Sequence, residues 1–209
     1  GGVIKNVGVE ESYVRGTGIQ ANVGGVCGKN SGGTISNSYN AGSVEGTRHD
    51  VAVGGVCGYS SRGAIFNSHN TGSVKGTGNE TVNGPSVGGV CGYSYYGEIS
   101  NSCNAGSVEG GELANVGGVC GGNSNWETSS AEISNSYNVG SVEGGESALV
   151  GGVCGHNPLG TISNSYNAGS ATGKSDASVG GVCGKNENYG TITDCFYLAG
   201  TVEPDKGIG

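Results

Sequence analysis

A Gly-Gly-Val-Cys-Gly run written six times constrains this chain more than anything else in it. The runs place Cys27, Cys57, Cys91, Cys120, Cys154 and Cys183 at spacings of 30, 34, 29, 34 and 29 residues. Each run leads to an Ile-x-Asn or Ile-x-Asp step, then to a tail of small residues ending near Gly-Ser-Val-Glu-Gly. A period of this size along nearly all of 209 residues marks stacked supersecondary units, none of which buries its apolar face alone. The expected organisation is one continuous array over 1–209: a partial first repeat (1–22), regular repeats (23–194), and a last partial repeat with a tail (195–209). Val3-Ile4-Lys5-Asn6 lines up with Thr34-Ile35-Ser36-Asn37, so the chain opens inside a repeat and reads as an excerpt of a longer protein.

Helix is not expected. Apolar residues do not recur at three and four, and Gly, 47 residues in all, interrupts every segment. The β-branched pieces Val23–Cys27, Thr34–Ser36 and Ser43–Val44, bounded by Asn, Gly and Ser, read as brief strands joined by turns. Each repeat of 29–34 residues then makes one coil with three short strands, stacked on the next at about 4.8 Å. The expected fold is all-β, a right-handed parallel β-solenoid of about six repeats. Two insertions, around Gly78–Ser86 and Asn123–Ser130, belong in loops, because a lengthened strand would lose register with its neighbours.

Stacking places like over like. The inward ladders expected are Val26, Val56, Val90, Val119, Val153 and Val182, or the adjacent cysteines. Beside them come Ile35, Ile65, Ile99, Ile133, Ile162 and Ile192, and Val44, Val74, Val108, Val142, Ala171 and Val202. Strand alternation admits only one of each Val–Cys pair to the interior, unless a bend at the glycines admits both. The next column, Glu45, Lys75, Glu109, Glu143, Thr172 and Glu203, belongs in water.

Charge narrows the partners. A net charge of −8, with nine scattered Lys and Arg, disfavours nucleic acid and anionic membrane surfaces. No run approaches the roughly 18 apolar residues of a membrane helix, so no membrane insertion is expected of this segment.

The phrases VGGVCGKN-SGGTISNSYNAGSVEGT (Val23–Thr47) and VGGVCGHN-PLGTISNSYNAGSATG (Val150–Gly173) resemble the GLUG repeat of bacterial surface proteins. That family occurs in large adhesin-like proteins and in non-catalytic parts of immunoglobulin-A-cleaving metalloproteases. The resemblance implies a secreted or wall-attached bacterial protein with a β-solenoid segment, and it carries no catalytic residues. The family commonly has an aliphatic residue where this chain has its ladder Cys.

Taken alone, the eight cysteines suggest a disulfide or metal framework. No CxxC pair exists and the three histidines are dispersed, so zinc spacing is absent and no metal or cofactor is expected. The ladder cysteines are read instead as buried free thiols acting as small hydrophobes. Residues 168–175 mimic a phosphate-binding loop, but a helix must follow for the dipole to hold phosphate, and the sequence offers another repeat. The Asn37, Asn67, Asn101, Asn135 and Asn164 column, closed by Asp194, is expected to form a stacked amide ladder or to serve left-handed bends. The column Tyr39, His69, Cys103, Tyr137, Tyr166 and Phe196 reads as a structural stack.

Three functions compete. The favoured one is a non-catalytic structural or adhesion segment, a stalk or ligand-presenting scaffold, of an extracellular or cell-surface bacterial protein, working with flanking domains of the same chain. The second is a module binding a host glycan or extracellular protein through loop aromatics, with Tyr95, Tyr96 and Trp126 as contacts. The third, a polysaccharide-active β-helix enzyme, needs paired carboxylates, and only Glu98 and Glu132 share a position in neighbouring repeats.

Overall fold

The computed structural model describes residues 1–78, 84–125 and 131–203. Within them every regular element is a β-strand, and every pairing is parallel, from one coil to the same position of the next. The strands fall into three seven-stranded and two six-stranded sheets running the length of a β-solenoid. A coil therefore holds five strands, not the three read from the sequence. The first complete coil shows all of them: Asn22–Gly24, Cys27–Ser31, Thr34–Ser36, Tyr39–Asn40 and Ser43–Gly46. Three are only two or three residues long, and Gly or Asn bends separate them. Such pieces are too short to show an alternating pattern of their own. We call the sheets the valine, cysteine, isoleucine, tyrosine and glutamate sheets, in that order along the coil.

The segment expected as one strand over Val23–Cys27 is bent in the middle. In each complete coil the Val and Cys amides both donate to a single carbonyl of the next coil. Val56 N and Cys57 N, for example, reach Val90 O at 3.0 and 2.9 Å. The shared acceptor breaks the two-residue alternation, so Val56 and Cys57 both turn inward and both are fully buried. The bend needs glycine for a steric reason. A Cβ on Gly54 would lie 2.0 Å from Cys57 O, and one on Gly55 would lie 2.4 Å from Asn70 Oδ1.

The interior has two apolar compartments. One joins the Ile35 column to the Val56 and Cys57 columns. The other joins the Val44 column to Val23, Val53, Val87, Val116, Val150 and Val179. That last column, the Val of every Val-Gly-Gly, belongs to the core and was left out of the expected ladders. Each of these side chains contributes roughly 1.5–3 kcal/mol of burial, offset by the ordering of so much glycine. The charged column faces water as expected, and its signs partly alternate: Arg15 meets Glu45 at 3.4 Å and Lys75 meets Glu109 at 2.6 Å. Residues 171–173 of the phosphate-loop mimic form a strand, followed by a turn and another strand, so no helix N-terminus is available for phosphate.

Candidate functional site

The Asn37, Asn67, Asn101, Asn135 and Asn164 column does stack in register, but on the outside. Each is exposed with φ between 47° and 50°, and Asp194 follows with φ 52°. These residues turn the chain from the isoleucine sheet to the tyrosine sheet, the bend role weighed from the sequence. At the first of these bends Asn37 Nδ2 donates to Asn6 Oδ1 at 3.4 Å.

The amide ladder runs three residues later. Asn40, Asn70, Asn104, Asn138 and Asn167 are buried, and each Nδ2 donates to the next Oδ1 at 2.8 Å. The same Nδ2 donates to the carbonyl of the Gly two residues on, at 2.9 Å. A second, mixed ladder runs through Asn30, Ser60, Ser94, Asn123, Asn157 and Asn186, with Asn157 to Asn186 at 2.8 Å. The first recurs as Asn in five successive repeats and so was legible in the sequence, whereas the second changes between Asn and Ser.

All eight cysteines are free thiols, and Cys57, Cys91, Cys120, Cys154 and Cys183 are fully buried. Cys27, on the first complete coil, is partly buried. The neighbouring Cys120 side chain, reinforced by burial, holds the Cys91 thiol well above the ordinary range. Burial, then the neighbouring Cys183, does the same for Cys154. These are inert, protonated thiols rather than nucleophiles. Among the described residues no group of three or more His, Cys, Asp or Glu is arranged to hold a metal ion.

The tyrosine-sheet aromatics pack on one another: Tyr39 stacks on His69 at 5.2 Å and Tyr137 on Tyr166 at 5.0 Å, with Cys103 between the pairs. Their faces are therefore largely occupied by each other.

The strongest local anomaly lies where the cysteine sheet hands over to the isoleucine sheet. The first three complete coils place Gly32, Arg62 and Tyr96 there, with φ of 63°, 51° and 52°. Glycine suits that conformation, whereas Arg and Tyr each carry about 1–2 kcal/mol of strain. Tyr96 packs edge-to-face on Tyr95 with ring centres 4.5 Å apart, and the Arg62 guanidinium sits 5.4 Å from the Tyr96 ring centre. Beside them opens a cleft of about 360 Å³ whose walls include Thr34, Arg62, Tyr96, Glu98 and Glu132. Glu98 and Glu132 are direct partners in register, and Ser100 Oγ donates to Glu98 at 3.0 Å. Of the three aromatics expected to make contacts, Tyr95 and Tyr96 meet here. Trp126 lies outside the described residues.

Residues 20–45 and 175–202 match the family model described as the GLUG motif, so the chain carries that motif near both ends of the array. No match is found among curated proteins. The fold is similar to the crystal structure of a Bacteroides ovatus protein described as a putative immunoglobulin A1 protease, with a TM-score of 0.55 and 21% identity. The likeness covers 93% of this chain, and this chain spans 57% of that one.

Proposed function

We propose that this chain is a non-catalytic scaffold or stalk segment of a secreted or surface-attached bacterial protein, holding other parts of that protein at a fixed spacing. The observation that supports it is the unbroken register of all five sheets, with ladders of Val, Ile, Cys, Ser and Asn filling the interior. Such a core is built for stiffness along one axis, about 4.8 Å of reach per coil. The GLUG motif and the fold likeness support the same reading, although the named protease is a longer chain. Two measurements test it together. The isolated chain should release no fragments from immunoglobulin A1, and an antibody to it should label the surface or medium of the producing bacterium. Fragment release would overturn the non-catalytic reading, and purely internal labelling would overturn the location.

A second reading, a module for a host glycan or extracellular protein, is supported by the strained turn at Arg62 and Tyr96. Strain of this kind persists where surrounding structure or function maintains it. Tyr96→Gly removes the ring and accepts φ 52° freely, so it is expected to stabilise the fold by about 1 kcal/mol while abolishing binding on a glycan or host-protein array. A variant that binds as the parent does would retire the turn as a contact site.

A further inference from the structure

A second concavity runs along the solenoid where the valine and cysteine sheets meet. It is a groove of about 850 Å³ spanning five successive coils, about 19 Å at 4.8 Å per coil. One wall is the outward residue that opens each valine-sheet strand, including Asn22, Ser86 and Asn115, with Gln20 and Asp50 on the turns before them. The other wall is Tyr59, Tyr93 and His156, which belong to the cysteine-sheet column Lys29, Tyr59, Tyr93, Gly122, His156 and Lys185.

That column is not a uniform stack. Lys29 lies 5.5 Å from the centre of the Tyr59 ring, and Tyr59 lies parallel to Tyr93 at 5.9 Å. The next coil carries Gly122, which leaves room for the Tyr93 ring, since a Cβ there would come within 2.7 Å of it. Among the described residues the next side chain of the column after Tyr93 is His156, two coils on. His156 is held by Glu187 at 2.8 Å, and Glu187 also meets Lys185 at 2.9 Å.

We propose that this groove binds a linear, uncharged polysaccharide along the solenoid axis, its sugar rings packing along the aromatic wall of Tyr59, Tyr93 and His156. The apolar face of a sugar ring packs on an aromatic face, and its hydroxyls suit the amides of Gln20, Asn22 and Asn115 and the carboxylate of Asp50. An extended peptide is the poorer fit. The strands of both walls are already paired coil to coil, so no free backbone edge is offered for strand addition. An anionic glycan is disfavoured by Asp50 in the wall and by the engagement of both His156 and Lys185 with Glu187. The inference goes beyond the scaffold reading and is independent of the turn at Tyr96.

Isothermal titration calorimetry of the whole chain with the hexamers of β-1,4-linked glucose, mannose, xylose and N-acetylglucosamine tests it. Hexagalacturonate and an extended decapeptide are the comparisons, and circular dichroism confirms that each variant is folded. At least one neutral hexamer is expected to bind. Tyr93→Ala should weaken it by roughly tenfold. Ser86→Phe, which fills the groove from the opposite wall, should weaken it at least as much, and exposed Gln20→Ala supplies a variant that leaves the core untouched. Tyr96→Gly should bind as the parent does. No heat with any neutral hexamer, binding of only hexagalacturonate or the peptide, or full affinity in the groove variants would overturn the proposal. Loss of binding in Tyr96→Gly alone would place the sugar at the turn instead.

Discussion

Raising the pH from 8 to 10 is expected to unfold this solenoid, and its buried thiols supply the driving force. Cys57, Cys91 and Cys154 sit in the closed compartment beside the Ile ladder with folded-state pKa values well above the usual thiol range. For Cys91 the cause is first the neighbouring Cys120 side chain and then burial; for Cys154 it is first burial and then Cys183. In the unfolded chain the same thiols ionise near about pH 8.5. A group that loses its proton more readily unfolded than folded gives stability that is whole below the unfolded pKa. That stability drains away as the pH climbs toward the folded value. Each such thiol removes about 1.4 kcal/mol per pH unit in that window, so three remove about 4 kcal/mol per unit. By pH 10 the loss is about 6 kcal/mol, comparable with the whole stability of an ordinary domain, about 5–15 kcal/mol.

Circular dichroism against pH, in reductant, reads the midpoint directly. In an unfolded chain tyrosine and lysine also ionise at about pH 10, so the decisive comparison is internal. The triple variant Cys57→Ala, Cys91→Ala, Cys154→Ala is less stable at pH 7 because of its cavities, but its stability should fall less steeply from pH 8.5 to 10. An unchanged slope would mean that the thiols do not govern the alkaline limb. Thiol reagents at pH 7.5 give an independent check, with the buried column reacting only after denaturant is added.

How much of this was legible beforehand follows from what a column can and cannot show. A residue recurring at one repeat position declares that it stacks, and this sufficed for a parallel solenoid and for the Ile35 and Val44 ladders. It does not declare which way the residue points. Asn37 and Asn40 recur equally well, yet one turns a corner in the left-handed region and the other is sealed against Gly25. Direction is set by bends of one or two residues, and these glycine-rich bends carry no periodicity. The same blindness merged five strands into three and left open whether the Val–Cys pair alternates, which the bend with its shared carbonyl decides in favour of both pointing inward. The site fared differently. Tyr95 and Tyr96 stood out because the array does not require them, whereas the strain at Arg62 and Tyr96 is a property of backbone angles alone. The groove was hidden for a further reason: its walls come from residues about 37 apart along the chain, Asn22 and Tyr59 for example, that no single motif contains.

The sharpest separation between the two Asn columns is energetic. Asn104→Leu is expected to lower the melting temperature by about 10–20 °C, and Asn101→Leu by about 2–4 °C. The substitutions are close in shape, so packing changes little and polar satisfaction decides. Asn104 donates to Gly106 O at 2.9 Å and Asn138 Oδ1 at 2.8 Å, and accepts from Gly106 N at 3.3 Å and Asn70 Nδ2 at 2.8 Å. Leucine removes the partner of Gly106 N and Gly106 O where no water reaches them, and leaves Asn70 Nδ2 with only Gly72 O and Asn138 Oδ1 with only Gly140 N. Each orphaned group costs about 1–3 kcal/mol, and with the two weakened groups the sum is about 5 kcal/mol. Asn101 is exposed, so leucine there adds only about 1 kcal/mol of left-handed strain. The end of the ladder gives the internal control. Asn40 donates to Asn70, but the preceding coil places Val9 opposite it, so Asn40→Leu strands fewer groups and should fall between the other two. Equal shifts for Asn104→Leu and Asn101→Leu would mean that the buried amide chain contributes nothing beyond its place in the stack.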